Sequence, residues 1–80
     1  MRLPRNLSGD ELVKRPKVFG YAPSRQRGSH VRVTTQQNGE HHVTVPRHSP
    51  LRLGTLSGIL QSVADHFALT RDEVLERIMD

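Results

Sequence analysis

The chain contains no cysteine and no tryptophan, and only one tyrosine and two phenylalanines among its 80 residues. Without cysteine there is neither a disulfide framework nor a thiolate metal site, and a reducing cytoplasm is the expected setting. Three aromatic side chains are too few for a platform on which single-stranded bases stack. No stretch approaches the roughly 18 consecutive apolar residues of a membrane span, and MRLPRNLSG has no apolar segment of signal-peptide length. The phosphate-cradling GxxxxGK pattern and the dinucleotide GxGxxG pattern are also missing.

Acids are scarce in one region. From Arg15 to Arg52 the only acid is Glu40, set against seven basic residues (both ends counted) and four of the five histidines. Over the whole chain 12 Lys and Arg oppose 8 Asp and Glu, a net charge of +4, and ten of the twelve cations are arginine. A basic centre of this kind favours a polyanion, nucleic acid first. The flat guanidinium fork suits phosphate better than an ammonium does. A chain of this length makes one domain, residues 1–80, and buries about 60% of its unfolded surface, so its core is small.

LSGDELVKR reads as a helix start, with Ser8 and Glu11 at capping-box spacing and Leu7 and Leu12 at hydrophobic-staple positions. Leu12 and Val13 are expected to face the core, with Phe19 beyond them. Pro16 removes an amide and crowds the preceding turn, so the helix should stop or kink there. Residues 20 to 27 predict a first strand in which Pro23 requires an edge or a bulge. HVRVTT and HHVTVP alternate on either side of Asn38–Gly39, a hairpin signal. A three-residue loop, Gln37 to Gly39, would pair Val33 with Val43 and Val31 with Val45. That register buries all four valines together, and burial decides register. It also sends His30, Arg32, Thr34, His42 and Thr44 to the opposite, open face. Residues 47 to 53 form a loop. GTLSGILQSVADHF predicts a helix whose Leu56, Ile59, Leu60, Val63 and Phe67 make one apolar stripe. Thr70 and Glu73 repeat the capping box ahead of a last helix bearing Val74, Leu75, Ile78 and Met79. The expected architecture is α+β, with helices on one face of a small antiparallel sheet.

Chemistry concentrates at RQRGSH, residues 25–30. Arg25 and Arg27 can hold phosphate through two hydrogen bonds each. Gly28 permits close backbone approach, the Ser29 hydroxyl can donate to a phosphate oxygen, and Gln26 and Arg32 add hydrogen-bonding groups. His30 can accept or donate a proton, as RNA cleavage requires at the 2′-hydroxyl and at the leaving oxygen. His41 and His42 are adjacent on a strand and point to opposite faces, so they cannot join His30 around one metal. With no cysteine and few acids nearby, no metal site is expected. His66, late in a helix, reads as structural. His48, in the VPRHSP loop, is the one auxiliary candidate beside His30. No acid near His30 in sequence could complete a hydrolase triad.

Four segments together resemble the HicA family, small ribonuclease toxins of bacterial toxin–antitoxin pairs. They are LSGDELVK, GY followed by RQRGSH, HHVTVPRHSPLRLGTLSGIL, and TRDEVLERI. The likeness covers roughly residues 7 to 78; Pro16 departs from it, standing where the family carries a helix-forming apolar residue. The resemblance implies a fold like the double-stranded-RNA-binding domain, with helix, three strands, helix and a short last helix. It implies metal-independent cleavage of mRNA, without a cofactor, with His30 as the catalytic residue. It further implies a HicB-type antitoxin that masks the site, and a monomeric free toxin in the cytoplasm. One histidine cannot be base and acid in a single step, so a second group or water must share the work. From residues alone, a non-catalytic RNA-binding module and a protein-docking sheet face stay open as rival readings.

Overall fold

The computed structural model describes residues 3–79, and of residues 16 and 17 the backbone alone. Helix α1 (Gly9–Lys14) begins in the expected capping box. Ser8 Oγ accepts from the Glu11 amide at 3.1 Å, and Glu11 Oε1 accepts from the Ser8 amide at 3.3 Å. Leu7 and Leu12 are both buried. The helix ends ahead of Pro16, and Pro16–Phe19 forms a single 3₁₀ turn instead of a continuation. This is the stop that a proline inside a helical pattern imposes.

Three strands follow, β1 (Ala22–Arg27), β2 (His30–Thr35) and β3 (His41–Pro46), in one antiparallel sheet of order β1-β2-β3. β1 is shorter than expected because Gly20, at φ 77°, turns the chain before it. It lies at the edge, and its register shifts between Pro23 and Arg25, so Pro23 occupies a setting that tolerates its missing amide. Every residue of β1 is exposed, since APSRQR offers no large apolar side chain to bury. β2 and β3 pair Val31 with Val45 and Val33 with Val43, the valine register. The ladder closes at Thr35–His41, so the connection is longer than the three expected residues although the register is unchanged. Asn38 (φ 57°) and Gly39 (φ 95°) both take left-handed backbone there.

Helices α2 (Leu53–Phe67) and α3 (Arg71–Met79) cover the valine face. Leu56, Leu60, Val63 and Ala64 of α2 meet Val31, Val33, Val43 and Val45 in one core with Val74, Leu75 and Ile78 of α3. Ile59 and Phe67 pack at its margin. Met79, expected with the apolar side of the last helix, is instead 40% exposed at its end. The second capping box forms, with Thr70 Oγ1 accepting from the Glu73 amide at 3.1 Å and Glu73 Oε1 from the Thr70 amide at 2.9 Å. The arrangement is an α+β fold like the double-stranded-RNA-binding domain, with helices on one sheet face and the other face open. Among the described residues no helix is long and apolar enough to cross a membrane.

The hairpin tip is fastened to α2 by two histidines. His66 Nε2 lies 2.9 Å from the Gln37 carbonyl and 3.0 Å from that of Gly39, so it carries a proton and donates it there. His41 stacks on His66 with centroids 4.4 Å apart and rings 10° from parallel. Its Nδ1 is 2.7 Å from the Tyr21 hydroxyl and its Nε2 3.3 Å from Ser62 Oγ. Burial pushes the Tyr21 phenol up to about 12, so it stays neutral and can donate to a neutral His41 ring. Burial first, then the neighbouring His66 and His42, hold His41 below the ordinary histidine value. A histidine so depressed favours the fold while neutral. Its contribution is full above the unfolded value of about 6.5 and is lost as pH falls through the lower folded value. The urea midpoint should therefore fall as pH drops below about 6.5, before carboxylates titrate. His41→Gln should flatten that part of the profile. An unchanged slope in the variant would assign the loss to another group.

Candidate nucleic-acid interface on the open sheet face

Residues opposed across an antiparallel ladder share a face. Arg27 pairs with His30, Arg25 with Arg32, and Arg32 in turn with Thr44. These five side chains line one shallow depression of about 160 Å³ on the side of the sheet away from the helices. Its wall holds three guanidiniums, one imidazole and one hydroxyl, with no carboxylate. Among the described residues neither Arg25 nor Arg27 is in an ion pair. The guanidiniums are therefore available to an outside anion.

The depression is built by β1 and β2 and the turn between them. Gly28, at φ 57°, is the first of two turn residues between Arg27 and His30, the glycine position of a type II′ hairpin. No atom lies within 4 Å of where its Cβ would be, so its value here is backbone conformation. Behind the turn, the Arg47 amide donates to the Ser29 carbonyl at 2.6 Å. The Arg47 side chain reaches α1, where Nε donates to Asp10 Oδ1 at 2.6 Å. Arg47, chiefly by that hydrogen bond, holds the Asp10 carboxyl below its usual value. The Gly9 amide donates to the His48 carbonyl at 2.8 Å. The start of α1, the loop after β3 and the turn before His30 are thus tied in sequence.

Beside the depression a hydrogen-bonded line crosses all three strands. Ser24, at the β1 register shift, places Oγ 2.7 Å from Thr34 Oγ1, which is 2.7 Å from His42 Nδ1. Arg32 Nε donates to Ser24 Oγ at 3.4 Å, and Ser24 Oγ donates to the Arg32 carbonyl at 3.2 Å. The register shift thus places a hydroxyl beside Arg32.

Of the residues singled out in the sequence, Arg25, Arg27, His30 and Arg32 come together. Gln26 does not, because strand alternation sends it to the helix side, where it lines a second depression with Asp10, Val13, Lys14, Pro23, Val31 and Arg47. Gly28 and Ser29 form the turn and His48 stands exposed in the loop, none of them among the lining residues. Thr44 joins the lining without having been given a role. Gly9 and Arg47 position the site and carried no local signal, since their partners lie far away in the chain. Among the described residues no group of three or more His, Asp or Glu side chains is arranged to hold a metal ion.

A family model described as HicA toxin of bacterial toxin-antitoxin matches residues 9–63. The match runs from α1 through β3 into α2 and contains every residue lining the depression. No curated protein and no solved structure matched the chain.

Proposed function

The chain belongs to the HicA family, toxins of bacterial toxin–antitoxin systems, and from that premise we propose that it is a metal-independent endoribonuclease that cleaves mRNA. The observation that carries this reading is one imidazole, His30, set among Arg25, Arg27 and Arg32 in a depression without a carboxylate. His30 takes the proton from a ribose 2′-hydroxyl as base, or supplies one to the leaving 5′-oxygen as acid. In the base role the 2′-oxygen attacks phosphorus and the bond to the 5′-oxygen breaks. The ends left are a 2′,3′-cyclic phosphate and a 5′-hydroxyl. The arginines hold the non-bridging oxygens and offset their growing charge. Gln26, Gly28 and Ser29 shape the turn that presents this grip, and the Ser29 hydroxyl and His48 are available to the flanking strand. Water or His48 completes the proton transfer that His30 does not make.

A toxin of such a system has an antitoxin partner; we assign it to the HicB type and place it over the open face, where it would shield His30. Purified protein and a long unstructured RNA in excess EDTA test the activity. Cyclic-phosphate ends on the RNA, with DNA of the same sequence untouched, are expected. RNA left whole, or cleavage abolished by the chelator, would sink the proposal.

A further inference from the structure

The open face continues beyond Thr34 and His42. Just past the last ladder pair, Thr35–His41, Gln36 Nε2 donates to Glu40 Oε2 at 3.3 Å. The other Glu40 oxygen is 3.8 Å from His42 Nε2, outside hydrogen-bond reach. The His42 ring is fixed from behind through Nδ1 and Thr34. Both side chains remain open to solvent, at 41% for His42 and 60% for Glu40.

Glu40 is the only acid between Arg15 and Arg52, and its carboxylate lies beside the His42–Thr34 pair, on the face that carries the arginines. A carboxylate repels a phosphate chain, and that cost is offset only where it meets a hydrogen-bond donor. Phosphate oxygens are acceptors; the donors on an RNA strand are 2′-hydroxyls and base amino and imino groups. An acceptor-only carboxylate, oriented by Gln36 and flanked by an imidazole, matches a base edge bearing an amino group, as Glu matches cytosine N4. From His30 to the end of the ladder at Thr35 and His41 the sheet extends about 17 Å, at about 3.3 Å per residue, and Gln36 and Glu40 lie just beyond it. The base met there is remote from the scissile phosphate.

We propose that Glu40, with Gln36 and His42, forms a base-reading subsite at the hairpin end of the open face, selecting cytosine over uracil through the exocyclic amino group. It rests on the RNA-cleaving reading for its ligand and determines specificity without taking part in the bond-breaking step.

The test is binding of oligo-C and oligo-U long enough to span the face, both 2′-O-methylated so that neither can be cleaved, measured by fluorescence anisotropy near neutral pH. The parent should prefer oligo-C by about fivefold, the lower end of what one such contact discriminates. Glu40→Ala should bring that ratio to about one while His30→Ala keeps it. A parent without preference, or the same preference in Glu40→Ala, would overturn the subsite. A Glu40-dependent preference in a protein that leaves unmodified RNA intact would keep the subsite and remove the ribonuclease. Failure to bind either strand would overturn both.

Discussion

Replacing His30 by alanine should give a protein that folds as the parent does, binds RNA nearly as well, and cleaves it at least a hundredfold more slowly. The side chain is exposed and makes no hydrogen bond among the described residues, so its removal leaves no cavity and no unpaired buried group. Loss of a positioned acid or base typically costs about 10²–10⁴ in rate. The arginines should behave differently. Removing Arg25, Arg27 or Arg32 should weaken binding and lower the salt dependence by about one released counterion per lost contact. Single-turnover cleavage with saturating RNA separates the two effects. His30→Ala lowers the rate at saturation and leaves the half-saturating concentration nearly unchanged, whereas an arginine variant raises that concentration and, by losing its hold on the growing charge, lowers the rate as well. Circular dichroism confirms the fold. Full cleavage by the His30 variant would remove the catalytic assignment. A loss of affinity that accounted for the whole defect would make His30 a contact residue only.

The elements that were legible in the sequence are those set by local or pairwise rules. Both capping boxes form because each closes within three residues of chain. The register of β2 against β3 follows from the valines, since any slip by one residue exposes them. That register alone puts His30, Arg32, Thr34, His42 and Thr44 on one face. What could not be read depended on distant partners. The face of Arg25 and Arg27 hangs on the register shift near Ser24, which local sequence marks only by Pro23. Treating RQRGSH as one unit therefore included Gln26, which the pleat sends to the other side. The His41–His66 stack joins a strand to the last turn of a helix, and neither residue signals the other. His66 was expected to be structural, and it is, although through two loop carbonyls and not through a helix dipole alone.

Gly9 is the position where sequence said least and the structure constrains most. It is the first residue of α1 and it is buried against the end of β3. A Cβ there would fall on the Pro46 carbonyl oxygen, 2.8 Å from its carbon and 2.9 Å from Arg47 Cα. All three atoms are backbone, so no side chain can swing aside. The same close approach lets the Gly9 amide reach the His48 carbonyl at 2.8 Å. Gly9→Ala must therefore push α1 away from β3 or bend the strand end. Overpacking of this kind costs about 1–3 kcal/mol and occasionally more, in a domain whose whole stability is about 4–12 kcal/mol. At about 4–8 °C per kcal/mol the melting temperature should fall by roughly 4–24 °C. Gly54 and Gly58 provide the opposite sign. Both lie in α2 with nothing within 4 Å of an added Cβ. Their alanine variants should gain up to about 1 kcal/mol from helix propensity alone. If the proposed site is correct, Gly9→Ala should also slow cleavage where it remains folded. The displaced segment includes Arg47, whose amide holds the Ser29 carbonyl next to His30. A Gly9→Ala protein as stable as the parent would show that α1 yields at this contact, and the link from α1 through Arg47 to the turn would then carry no positioning role.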